Sequence, residues 1–153
     1  MNDTPLQAPD DAARALSNAI LASCTHAALG TLDPQTGAPT VSRIAFAWLD
    51  NAPLALVSEL SQHTQALRHD PRASVMLVRD DQKGDPLTHP RLTLQTHVVW
   101  VKKEKGRAAW LAARPKSKLY FDFADFSLVR FEIETAFLNA GFGKAYTLSA
   151  DDL

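Results

Sequence analysis

Thr40-Val-Ser-Arg-Ile-Ala-Phe-Ala-Trp48, Leu54-Ala-Leu-Val-Ser58, Ser61-Gln-His-Thr-Gln-Ala-Leu-Arg-His-Asp-Pro71 and Ala73-Ser-Val-Met-Leu-Val78 follow one another as strand, strand, short helix and strand. In the first strand Val41, Ala45 and Ala47 share a face with Arg43, and Ser42, Ile44, Phe46 and Trp48 share the other. Both faces are mostly apolar, so the strand reads as buried on both sides. A buried guanidinium needs a partner, and an anion is the natural one. Ser61, His63 and Thr64 fall where a helix begins, and the free N–H groups and dipole there favour negative charge. A phosphate between Arg43 and this helix start would satisfy all of them. Two plainer readings stand beside it: Arg43 pairs with Glu59, Asp70 or another of the 17 acidic residues, and Ser61 or Thr64 is an ordinary N-cap.

Outward from this stretch, residues 1–9 read as a loose tail and residues 10–153 as a single domain. Asp10 or Asp11 caps a helix running to Ser23, with Ala15, Leu16, Ala19, Ile20 and Leu21 as its buried stripe. His26 to Leu32 is a strand, and Asp33-Pro-Gln-Thr-Gly37 turns it back into the Arg43 strand. Asp50-Asn51 turns the chain again. Arg79 to Pro90 is a polar loop expected to be mobile or to face a ligand. A long strand follows from Arg91 to Val101, with Leu92, Leu94, Thr96, Val98 and Trp100 on one face. Glu104 to Arg114 is helical and stops at Pro115, Phe121 to Asp125 is an aromatic turn, and Ser127 to Leu138 is the last strand. About six strands, mostly joined by tight turns, with a few short helices predict a mainly β fold, a small antiparallel barrel rather than a doubly wound sheet.

Composition narrows the function. With 16 basic against 17 acidic residues, a formal net charge of -1 gives no broad field for nucleic acid or an anionic membrane, and neither is expected as a partner. Cys24 stands alone, so no intramolecular disulfide forms, and no Cys/His pair has zinc-site spacing. The N-terminus lacks a signal-peptide pattern, and no apolar run nears the roughly 18 residues a membrane span needs. A cytoplasmic protein with no resident metal is the expectation.

The order Leu29-Gly-Thr-Leu, Gly37-Ala-Pro-Thr-Val-Ser-Arg43, Leu56-Val-Ser-Glu-Leu-Ser-Gln-His-Thr64, Asp70-Pro-Arg-Ala-Ser-Val and Pro90-Arg-Leu-Thr-Leu resembles the pyridoxamine 5'-phosphate oxidase-like FMN-binding split-barrel family. It is most similar to the haem-utilisation (HugZ-type) and related flavoprotein branch, over residues 12 to 146. The resemblance implies a six-stranded split β-barrel that forms a homodimer with FMN at the subunit interface. It places the FMN phosphate among Arg43, Ser58, Ser61, His63 and Thr64, and the backbone of Ile44 and Val57 along the flavin or ribityl chain. Lys144 approaches the cofactor from the C-terminal side, and Gln95 either reaches the partner's flavin or faces the surface. The chain departs from the oxidase where Gln62-His63 stands in place of Arg-Lys, and the oxidase's C-terminal substrate segment is not evident after Ala140. In haem-degrading relatives a further C-terminal region contributes to haem binding, and this sequence ends at Leu153. The expected function is an FMN-dependent oxidoreductase of unknown substrate; the alternative is a non-catalytic flavin- or haem-binding protein of the haem-utilisation type.

Overall fold

The computed structural model describes residues 6–79 and 81–153. Two tight turns start the sheet. After β1 (His26–Leu32), the Asp33 carboxylate accepts from the backbone N–H groups of Thr36 and Gln35 (2.8 and 2.9 Å), which hold it below the usual carboxylate range. Gly37 then takes a left-handed φ of 73°, and the chain returns as β2 (Pro39–Leu49). Asp50 and Asn51, with φ of 51° and 57°, form the two-residue hairpin into β3 (Ala52–Ser58).

With β4 (Arg72–Val78), β5 (Arg91–Val101) and β6 (Phe126–Asn139), the sheet runs β3-β2-β1-β4-β5-β6-β7, and β3 pairs with β6 to close a six-stranded antiparallel barrel. The seventh strand, β7 (Ala145–Leu148), extends the sheet beyond β6 and had no counterpart in the strand pattern of the sequence. Its free edge is covered by Gln7, whose N–H donates to the Ala145 carbonyl (2.9 Å) while its own carbonyl accepts from Thr147 (3.1 Å). Residues 1–5 of the expected tail lie outside the described residues.

The barrel interior is filled by alternate residues of each strand, among them Leu29, Phe46, Val75, Leu92 and Phe131, none more than 1% exposed. One irregularity resets that alternation. Gln95 pairs with Thr135 but Thr96 with Ile133, so Glu134 is an extra residue in β6, a β-bulge. Before it Phe131 points inward; after it Ala136 and Leu138 do, and Glu134 is turned to the outside. The alternation of the sequence, which sets Leu128, Arg130, Glu132 and Glu134 opposite Val129, Phe131, Ile133 and Thr135 in one unbroken phase, is corrected there.

Helix α1 (Asp11–Ser23) is capped by Asp10, whose carboxylate accepts from the Ala13 N–H at 2.7 Å. Its inward face is Ala13, Leu16, Ser17, Ile20 and Leu21, the i, i+3, i+4, i+7, i+8 stripe of a helix on a core. Ala15 and Ala19 are exposed instead, because the buried Ser17 carries the stripe where an apolar residue was expected. Helix α2 (Gln62–His69) inserts Ala66 and Leu67, and its Arg68 guanidinium lies 3.3 Å over the Trp100 ring while pairing with Glu59. Helix α3 (Lys103–Ala113) buries Trp110 in a second cluster with Ala47, Leu54, Leu56, Phe121 and Leu128 on the outside of β2, β3 and β6. At its end Arg114 donates to the carbonyls of Phe46 (2.8 Å) and Cys24 (2.9 Å), tying helix to barrel. No helix among the described residues is long and apolar enough to cross a membrane.

Candidate functional site: a trough on the outer sheet face

Helix α3 covers only the second half of β2. Ala47 is buried beneath it and Ala45 packs at its margin, but Arg43 and Val41 lie beyond its reach and are exposed. The expectation of a strand buried on both sides is corrected: Arg43 is on the surface, and among the described residues it makes no hydrogen bond or ion pair, so neither Glu59 nor Asp70 is its partner. Those two acids are taken by Arg68 and by Arg72, whose guanidinium holds the Asp70 carboxyl down at about 2.

The register lays out what surrounds Arg43. On the outer face Arg43, Ala28, Met76 and Thr93 form one cross-strand row, and Val41, Gly30, Ser74 and Gln95 the next. Small side chains in the middle of both rows leave a depression. Two cavities of about 460 Å³ each meet at Val41. One runs over Gly30, Ser74 and Gln95 to Arg72 and Glu134; the other runs over Ala28 and Met76 to Arg43 and His26. A Cβ at Gly30 would make ordinary contact with Ser74, at 3.6 and 3.7 Å, so the glycine keeps the floor lower than an alanine would. Val41 is 76% and Met76 40% exposed, an apolar lining open to solvent on a sheet. The half over Ala28, Val41 and Met76 is apolar and ends at Arg43, whereas the half over Ser74 and Gln95 is mostly polar, so the trough suits a flat ligand that is partly apolar and carries an anionic group.

The start of α2 is a second, smaller assembly. Ser61 is its N-cap residue but makes no side-chain cap bond; its N–H donates to the Ser58 carbonyl (3.0 Å), and the Thr64 N–H donates to the Ser61 carbonyl (3.1 Å). The Ser58 hydroxyl donates to Asp125 (2.9 Å) and accepts from the Leu60 N–H (3.2 Å). His63 Nδ1 lies 3.1 Å from the Ser42 hydroxyl, and burial pushes the imidazole below its ordinary value. Thr64 is fully buried and its hydroxyl has no partner among the described residues.

The structure therefore gathers Ser58, Ser61, His63 and Thr64 around one helix start and attaches them to β2 through Ser42. Arg43 follows Ser42 in the strand, so it projects from the opposite face. Ile44 (4% exposed) and Val57 (1%) bury their side chains in the core, leaving only main chain for a ligand. Lys144 sits in the turn between β6 and β7 and lines neither cavity, and none of residues 81–90 does. Gln95 lines the trough, as does Glu134, which sequence reasoning passed over because a bulge cannot be seen in an alternating pattern. The alternate small residues Ala28 and Gly30 were the legible sign of a depression in the sheet.

The sequence model of the pyridoxamine 5'-phosphate oxidase family matches residues 14–140. A chloroplastic heme oxygenase, HOZ, of Arabidopsis thaliana is 35% identical over 118 residues, covering 69% of this chain and 36% of its own length, so the chain spans little more than a third of that relative. The heme oxygenase HutZ of Vibrio cholerae is 28% identical over 132 residues, covering 82% of this chain and 74% of HutZ. The solved structure of a heme binding protein from Mycobacterium smegmatis superposes with a TM-score of 0.83 at 30% identity, covering 96% of this chain and 61% of that one. The closed barrel, the matched residues and these relatives together assign the chain to the pyridoxamine 5'-phosphate oxidase family of split barrels, alongside its HutZ-type haem proteins.

Proposed function

We propose that this chain is a haem-binding protein of the haem-utilisation type and that the outer-face trough is where the tetrapyrrole lies. The observation that carries the reading is the trough's composition: apolar side chains from Ala28, Val41 and Met76 in the half that ends at Arg43, which has no partner among the described residues, and small or polar ones from Gly30, Ser74 and Gln95 in the other half. The haem-protein names of three relatives support it. Ala28, Gly30 and Ser74 would lie beneath the macrocycle, Val41 and Met76 against it, and Arg43 against a propionate. Haem, when bound, supplies an iron centre for electron transfer and oxygen chemistry, and the protein's part is to hold it and limit its contact with water. In the same reading a second copy of the chain covers the exposed Val41 and Met76, so the homodimer implied by the family resemblance is retained as part of the proposal.

FMN is the second reading, favoured by the start of α2. Thr64 presents a buried hydroxyl without a partner there, and the first N–H groups of a helix have no intrahelical acceptor. A flavin phosphate at that end would displace the main reading from haem carrier to FMN-dependent oxidoreductase. Hemin and FMN titrations of the purified chain separate the two: a saturable Soret band supports haem, and saturable binding of FMN alone supports the flavin. Sedimentation of the loaded protein tests the dimer, and a monomer at all concentrations would remove that part.

A further inference from the structure

We propose that the outer surface of α3 and of the segment that follows it, residues 102–123, docks the chain on an anionic lipid surface. This stands apart from the haem reading, since none of these residues lines either cavity of the trough. The nearly even charge of the whole chain argues against such a partner, but it hides a local excess: residues 102–123 hold seven basic and two acidic residues. Three of the seven cations are engaged within the protein. Lys103 donates to the carbonyls of Phe123 (2.8 Å) and Phe126 (3.0 Å), Arg107 pairs with Asp122 (2.7 Å), and Arg114 ties the end of α3 to the barrel. The other four, Lys102, Lys105, Lys116 and Lys118, are exposed and make no side-chain hydrogen bond or ion pair among the described residues. Lipid-binding basic clusters carry roughly 4–8 such charges.

Two apolar side chains complete the surface. After α3 the chain makes a short 3₁₀ turn (Pro115–Leu119) in which Ser117 is buried and the lysines on either side of it are exposed. Leu119 is 81% and Phe123 57% exposed, although Tyr120, Phe121 and Phe126 beside them pack into the second cluster. The bonds of Lys103 and Arg107 fasten this turn to α3, so the exposed apolar groups and the lysines belong to one continuous surface. An aromatic and a leucine among free lysines suit a bilayer interface, where apolar tips enter the headgroup region and lysine heads on long stems meet lipid phosphates. A protein partner fits less well. Protein interfaces are depleted in Lys and enriched in Arg, and both arginines of the stretch are already engaged. A nucleic acid would use the lysines but leave Leu119 and Phe123 without a role.

The test is co-sedimentation of the full chain with vesicles of phosphatidylcholine and with vesicles of an equal mixture of phosphatidylcholine and phosphatidylglycerol, at low and at physiological salt. The parent is expected to partition onto the mixed vesicles at least about tenfold more strongly than onto phosphatidylcholine, and less strongly as salt rises. Lys118→Glu should lower that partitioning at least about fivefold, whereas Lys83→Glu, the same charge change outside the stretch, should match the parent. Phe123→Trp adds a readout that charge alone would not give: its added emission should be quenched by brominated lipid in the mixed vesicles. A parent that stays in solution with the mixed vesicles, equal losses in Lys118→Glu and Lys83→Glu, or a vesicle-bound Phe123→Trp without quenching overturns the proposal. So does a parent that sediments without lipid, or one that binds a polyglutamate peptide or duplex DNA but no vesicle; those results would give the surface to a second copy, an acidic protein or a nucleic acid. Hemin titration is read separately, so failure here leaves the haem reading as it stands.

Discussion

Arg43 shows how one residue can be rightly singled out for a reason that the fold replaces. It was expected to be buried and in need of an anion; it is exposed and has no partner among the described residues, and its importance now comes from its place at the end of a trough. Arg43→Ala should weaken hemin binding by about 1.5–3 kcal/mol, the worth of a hydrogen bond to a charged group, and equilibrium titration measures it. His63 gives a pH prediction. Burial lowers its pKa, so the unfolded chain binds the proton more readily, and the pH window lies below the ordinary value of 6.5. The neutral imidazole's contribution to stability is complete above that value and is lost as pH falls through the lower folded pKa. Urea unfolding between pH 7 and pH 5 should therefore show a loss of stability that His63→Gln reduces; equal slopes for the two proteins would contradict it. Gly106 is the third informative residue. A Cβ there would sit 2.3 Å from Leu128 Cδ2 in a fully packed cluster, so overpacking of about 1–3 kcal/mol outweighs the roughly 1 kcal/mol that alanine gains in a helix. Gly106→Ala should lower stability by about 1 kcal/mol in denaturant titration, and a stabilised variant would show that Leu128 yields.

At the scale of elements, the strands were legible because barrel strands alternate and their turns carry Asp, Asn, Pro and Gly in positions that need them. β5 is the clearest case, with Leu92, Leu94, Thr96 and Val98 buried as the pattern requires. Three things were not legible, each for a physical reason. β7 is too short, at four residues, to show a period. The β6 bulge is defined by pairing with β5, and no single strand carries that information. The exposed half of β2 depends on how far α3 reaches across it, a tertiary matter that two apolar faces cannot reveal. The site divides in the same way: the hydroxyls and imidazole at the start of α2 were grouped by proximity in sequence, whereas the trough is assembled from five strands. Arg114 joins two elements in a manner open to test. Arg114→Ala leaves the carbonyls of Phe46 and Cys24 without their donor, at about 1–3 kcal/mol each, so thermal unfolding should shift downward by several degrees. An unaltered midpoint would mean that water replaces the guanidinium at both carbonyls.

Across the whole molecule, closure of the barrel by β3 and β6 leaves one broad outer face without a covering helix, and that face carries the trough. The fold was visible in the sequence and is shared with the family; the ligand was less visible, because the hydroxyl-rich start of α2 and the trough that holds Arg43 lie on opposite faces of β2. The relatives shift the balance from the flavin first expected toward haem. The measurement that bears most directly on this is the absorption spectrum of the purified chain during hemin titration, run in parallel with FMN. A saturable Soret band at one haem per chain, weakened by Arg43→Ala, is the predicted result. No saturable Soret band, with FMN binding instead or with neither cofactor bound, would contradict it.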